Sequence, residues 1–235
     1  MTVDDRSLAA SHSRRRSGFW HSWLVGDLYL GRLEALEQIW WVWAELGEGL
    51  TEEQWSVATR CPGWDVAALY AHHSVFPLAM SAPLPPGDGP VGEPLTAVEI
   101  LKRFNAPDGV AHSMAKTVAD TAVWEATAHT RRDLVGRFIA YGPRALRGLR
   151  QAKATVVVPW PASSGVITLV EALRIVLLEA TVHLLDVQRA LGHPPVVPTS
   201  ALQDTVQLLA ELVPAVEFME AATGRLARSP LPVLR

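Results

Sequence analysis

Two short stretches hold most of the side chains that could do chemistry. In "LLEATVHLLD", residues 177 to 186, Glu179, His183 and Asp186 interrupt a run of leucine, alanine and valine. Glu179 and His183 are four residues apart, so on a helix they project from one face, one turn above the other. A Glu-x-x-x-His spacing alone is weak evidence, because an exposed i, i+4 pair has the same spacing. The neighbours argue for something else. Leu177, Leu178, Ala180, Val182, Leu184 and Leu185 make the segment apolar nearly all round, which is the pattern of a buried helix. A buried carboxylate must be paired or coordinated to offset its desolvation.

The second stretch is "TRCPGWDVAALYAHH", residues 59 to 73. His72 and His73 are adjacent on a helix and point about a hundred degrees apart, so at most one of them faces a given site. The other histidines carry less. His12 and His21 lie near the N-terminus, His112 and His129 near helix ends, and His193 in a turn. The sequence has no H-E-x-x-H, no glycine-rich phosphate loop and no G-x-S-x-G elbow. Ser163 and Ser164 have no context that would make either a nucleophile. Cys61 precedes a proline at a turn and reads as a small packing residue.

The elements that must position these groups are helices. Residues 24 to 46 have apolar residues at helical spacing, with Leu33, Leu36, Trp40 and Trp43 on one side. Trp40, Trp41 and Trp43 read as core. Thr51 is a candidate N-cap after the break at "GEGL". Pro62 and Gly63 make a turn, and Asp65 can cap a helix running to about Leu78. Residues 81 to 95 are Pro/Gly-rich and predict a loop. Further helices are expected over 96–105, 110–128 and 130–140, with 141–150 less regular. Residues 154 to 161, "ATVVVPWP", are the one convincing strand, at an edge or as an extended connector. Two last helices are expected: 166–191, stopped by Gly192, and 200–222, kinked at Pro214 and stopped by Gly224. The tail "SPLPVLR" is expected to be extended.

Four substantial helices with short extras predict an all-α antiparallel bundle, with at most a short strand. Residues 1–22 are expected to form a flexible leader and 23–235 one bundle domain. Hydrophobic residues make up 49% of the 235 and charged residues 19%, which suits one globular domain. The net charge of −3 argues against a nucleic-acid partner. Charged residues interrupt every apolar run before it reaches membrane-spanning length. No secretory signal follows "SHSRRRSGFW", so a cytoplasmic location is expected. With Cys61 as the sole cysteine, neither an intrachain disulfide nor a cysteine-based structural zinc site can form.

Taken together, the motifs resemble a known family. "TRCPGWDVAALYAH" resembles the T-x-C-P-G-W-(seven residues)-H segment of the mycothiol-dependent maleylpyruvate isomerase family, within the DinB-like metal-binding superfamily. "LLEATVHLLDVQRALGHPP" resembles its second signature, Glu-x-x-x-His-x-x-Asp followed by a helix end at Gly-x-Pro. The tail "ATGRLARSPLPVLR" is similar as well. The resemblance implies a DinB-like four-helix bundle holding a divalent metal, usually Zn²⁺, on His72, Glu179 and His183. Two imidazoles and a carboxylate suit zinc and leave positions open. Asp186 matches a signature aspartate that is not a ligand, and is expected to support a histidine from behind. His73 stands where the family usually has an apolar residue, and is a second candidate for that supporting role.

The family's activity implies mycothiol as cosubstrate, in cis–trans isomerisation of an electrophilic small molecule or in S-transfer to one. Two other readings stay open: a metal-dependent hydrolase or lyase without thiol, and a non-catalytic small-molecule-binding bundle. The arginines a dicarboxylate substrate would need cannot be placed from the sequence, and a solvated face accounts for Arg144, Arg147 and Arg150. Bundles of this type often form homodimers, though no interface is legible here.

Overall fold

The structure is a computed structural model. It describes the backbone of residues 6–84, 92–160, 165–226 and 232–234, and the side chains from Leu24 onward. Ser163, Ser164 and most of the tail from Ser229 lie outside the described residues.

The first helix, α1 (Arg6–Glu48), starts well before the expected Leu24 and takes in most of the segment read as a leader. Its inner face buries Tyr29, Leu33, Leu36, Ile39, Trp40 and Trp43. Trp41 is not core: it points outward and is 62% exposed, since one residue is about a hundred degrees of helix. A capping box between Thr51 and Gln54 opens α2 (Glu52–Trp55). Gly63, at φ +80°, takes the left-handed conformation that the following turn needs. The Asp65 carboxylate then accepts from the Ala68 N–H at 2.8 Å and starts α3 (Val66–Met80).

Next come α4 (Ala97–Phe104), α5 (Val110–Ser113) and α6 (Ala115–Ala128). The helix expected over 110–128 is thus two, separated at Met114. Thr130 and Asp133 form a capping box that starts α7 (Arg131–Gly136). A π turn, Arg137–Tyr141, carries the chain into α8 (Gly142–Gln151), so the segment expected to be irregular is helical. Pro143 explains the wide turn. It lacks an N–H, and its ring would meet the carbonyl four residues back in a regular helix.

β1 (Val157–Trp160) pairs antiparallel with β2 (Gly165–Thr168), Val157 opposite Thr168 and Trp160 opposite Gly165. Residues 166–168 were expected to begin the next helix. Instead these β-branched residues satisfy their backbone against β1, and α9 (Leu169–Ala190) begins after them. Gly192, at φ +69°, follows its end. Pro214 does more than kink the last helix. It divides it into α10 (Thr199–Glu211) and α11 (Ala215–Ala222).

The helix α9 packs against α1, α3 and α10, while α3 also packs against α6, α7 and the π turn. One core cluster joins Leu36, Trp40 and Trp43 of α1 to Leu69 and Tyr70 of α3, Phe138, and Leu173, Leu177 and Leu184 of α9. A smaller one joins Ile100, Ile167, Ile175, Leu178 and Leu208. The protein is therefore an all-α bundle with a two-stranded hairpin. Among the described residues no helix is long and apolar enough to cross a membrane.

Candidate functional site

Two helices bring the predicted residues together. His72 projects from α3, and Glu179 and His183 project from α9 one turn apart. His183 Nε2 is 3.3 Å and His72 Nε2 is 3.9 Å from Glu179 Oε2. One nitrogen or oxygen from each of the three lies within 4.8 Å of the others. The group is not sealed in the core, since the Glu179 side chain is 30% exposed.

Asp186 lies behind His183, its Oδ2 3.0 Å from Nδ1. Its other oxygen accepts from the Arg60 guanidinium, and the Cys61 thiol is 3.4 Å from Oδ2. The turn holds Arg60 and Cys61 in place. Both the N–H and the hydroxyl of Thr59 donate to the Trp64 carbonyl at 2.9 Å, and Cys61 N–H donates to Thr59 Oγ1 at 3.1 Å. The same turn places Trp64 with its ring centroid 4.8 Å from that of His72 and 6.1 Å from that of His183. The T-R-C-P-G-W segment therefore contributes more than a turn before a helix. Arg60 and Cys61 were not expected at the site. Their approach to Asp186 spans the chain, and no local pattern signals it.

The electrostatics follow from these contacts. Burial pushes the Glu179 carboxyl up, but the imidazoles of His183 and His72 beside it outweigh burial and hold it far below the usual range. Burial pushes His183 down, yet its bond to Asp186 and the nearby Cys61 and Glu179 raise it well above its ordinary value. Burial also opposes ionisation of Asp186, and His183 and Arg60 reverse that. The result is a compact set of alternating charges, favourable to a bound cation once the imidazoles release their protons.

His73 takes no part in that set. It is fully buried between Trp43, at 4.8 Å between centroids, Phe76, at 5.4 Å, and Phe138, at 5.8 Å. Neither of its ring nitrogens has a hydrogen-bond partner among the described residues. Burial, with the nearby His183 and His72, holds its pKa well below the ordinary value, so the ring is neutral. Arg144 and Arg147 point to solvent on α8, and Arg150 pairs with Glu37 at 2.6 Å. His72 also lines a cavity of about 650 Å³ walled by α3, α6, β1 and α9, and none of these three arginines lines it.

The donor set suits a divalent cation. Two ligands 2.0–2.1 Å from a tetrahedral zinc stand roughly 3.3 Å apart, close to the 3.3 and 3.9 Å separations here. Searches of curated proteins and of solved structures return no match. The family described as mycothiol maleylpyruvate isomerase N-terminal domain matches residues 36–188, a span containing His72, Glu179, His183 and Asp186. That span covers well over half of the chain, and the chain belongs to this family.

Proposed function

We propose that His72, Glu179 and His183 hold a divalent metal, zinc by donor type, and that the protein is a mycothiol-dependent enzyme acting on an electrophilic small molecule. The observation that carries this reading is the convergence of the three side chains from α3 and α9, at the positions that resemble the family's ligands. A metal there supplies positive charge that lowers the pKa of a thiol, giving a nucleophile at neutral pH. The chain's own residues do the rest. Asp186 orients the His183 ring, and Arg60 fixes Asp186. Trp64 packs beside His72 and limits its movement. The cavity beside His72 admits the electrophile.

Two outcomes suit this arrangement. Addition of the thiolate to a conjugated alkene, rotation about the new single bond and elimination give an isomerised product and regenerate the thiol. Displacement of a leaving group, or addition without elimination, gives S-transfer. The lone cysteine supports a borrowed thiol, because Cys61 is occupied with Asp186. Dependence on mycothiol puts the reaction in a reducing, cytoplasmic setting.

Metal content of the purified wild type should be about one equivalent per chain, and lost in His72→Ala, Glu179→Ala and His183→Ala. Metal that survives all three changes would sink the ligand assignment. With metal established, turnover of an electrophile only when a low-molecular-weight thiol is added supports the thiol reading. Equal turnover without thiol would replace it with metal-assisted hydrolysis or elimination.

A further inference from the structure

We propose that the cavity beside His72 takes an uncharged electrophile with an apolar body, and that it disfavours a dicarboxylate. The inference rests on the proposed chemistry only for the word electrophile. The cavity itself fixes the rest.

Its volume is about 650 Å³, in the range that encloses a compound of drug-like size. The wall is built from Val75, Phe76 and Met80 of α3, Val158 and Trp160 of β1, and Val176 of α9. His72 aside, the one ionisable side chain among the described lining residues is Glu125. Its carboxylate is already engaged, 2.8 Å from Arg137 and 3.3 Å from His129. Arg137 is buried behind that wall, and its guanidinium is shared between Glu125 and the Ser74 hydroxyl. No guanidinium or ammonium among the described residues lines the cavity. Residues 85–91 and 161–164, next in sequence to the lining residues Leu84 and Trp160, contain no Lys or Arg either.

A dicarboxylate can turn one end to a metal. Its other end would then lie against valine, phenylalanine and tryptophan, or near Glu125. Both are costly for an ionised group with no partner. An ester, ketone or other neutral group avoids that cost. The hydroxyls of Thr117 and Thr121, on the α6 side, can donate to its carbonyl oxygen.

The test is binding, measured by titration calorimetry at neutral pH with no thiol present, on the metal-loaded protein and on the chelated one. Dibutyl maleate and the maleate dianion share one cis-alkene core and differ in charge and apolar area. The diester should bind at least about ten-fold tighter in both forms. Ala79→Trp and Val75→Trp, at exposed positions of α3 that line the cavity, should each weaken diester binding by about ten-fold or more while metal content and Tm hold. Maleate binding as tightly as the diester would overturn the proposal. So would failure to bind the diester, or diester binding that both tryptophans leave unchanged. A protein that binds the diester as expected but shows no thiol-dependent turnover keeps this inference and loses the thiol chemistry, so the two fail separately.

Discussion

Asp186 Oδ2 stands 3.0 Å from His183 Nδ1, three residues further along the same helix, while its other oxygen takes the Arg60 guanidinium. An ionised acceptor at that distance holds the proton on Nδ1, so that Nε2 is the nitrogen left to give its lone pair to a metal. Asp186→Asn keeps the shape and removes the charge. The expected result is a metal affinity lower by about 10- to 100-fold, read by competition with a chromogenic chelator, with helical content unchanged. Arg60→Ala should move affinity in the same direction by less, because the Arg60 side chain is largely exposed. Unchanged affinity in Asp186→Asn would remove Asp186 from the site's support.

The same pair makes stability depend on pH, with opposite signs in the presence and absence of metal. Without metal, burial pushes the His183 pKa down from 6.5, but the bond to Asp186 and the nearby Cys61 and Glu179 carry it well above that value. A histidine raised in the folded state contributes stability that is fully present below the unfolded pKa and lost as pH rises through the folded one. The Tm of chelated wild type, relative to chelated His183→Gln, should be highest below pH 6.5 and decline above it. Metal binding displaces the Nε2 proton, so affinity should climb over that same interval. Thermal scans from mildly acidic to mildly alkaline pH, with metal and with chelator, would show the two curves diverging. A chelated wild type that gains stability over its variant as pH rises would contradict the pairing.

What the sequence makes legible is mostly local. Asp65 and Thr51 act as the caps expected of them, and Gly192 and Gly224 take positive φ at helix ends. His72, Glu179 and His183 converge because fixed spacing within two helices, α3 and α9, sets the phase of each. The errors lie where two readings of a short segment compete. Val166, Ile167 and Thr168 fit the start of a helix or an edge strand, and only the pairing with β1 decides. The role of Cys61 and the reach of Arg60 to Asp186 depend on how the turn meets α9, which spacing does not encode. The cavity is likewise a product of four elements meeting.

His72 and His73 are a controlled comparison inside one helix turn. His72 faces Glu179 across 3.9 Å, whereas His73 buries two ring nitrogens with no hydrogen-bond partner among the described residues. An unpartnered buried polar group is a liability, and replacing it with an apolar group of similar size is neutral or stabilising. His73→Leu should therefore retain metal and hold or raise stability, by about 1 kcal/mol at most if the ring nitrogens are the main penalty. His72→Leu should lose metal. Metal loss in His73→Leu with full retention in His72→Leu would reverse the assignment.

Gly47 predicts an inversion of the usual glycine rule. Alanine for glycine in an exposed helix interior stabilises by about 0.5–1 kcal/mol. Gly31 is such a case, exposed and with nothing within 4 Å of an added Cβ, and Gly31→Ala should raise Tm. At Gly47 an added Cβ would stand 2.6 Å from Val135 Cγ2 and 2.9 Å from Tyr70 Cε1. Neither neighbour has room to yield. Val135 is buried, and Tyr70 is wedged between Trp43 and Trp55 with its hydroxyl donating to the Trp43 carbonyl at 3.1 Å. Overpacking of this kind costs about 1–3 kcal/mol, more than the helix gain, and a chain of this size loses about 2–4 °C in Tm per kcal/mol. Gly47→Ala should therefore melt below wild type while Gly31→Ala melts above it. If both variants melt above wild type, the close approach of α1 to Tyr70 and Val135 is wrong.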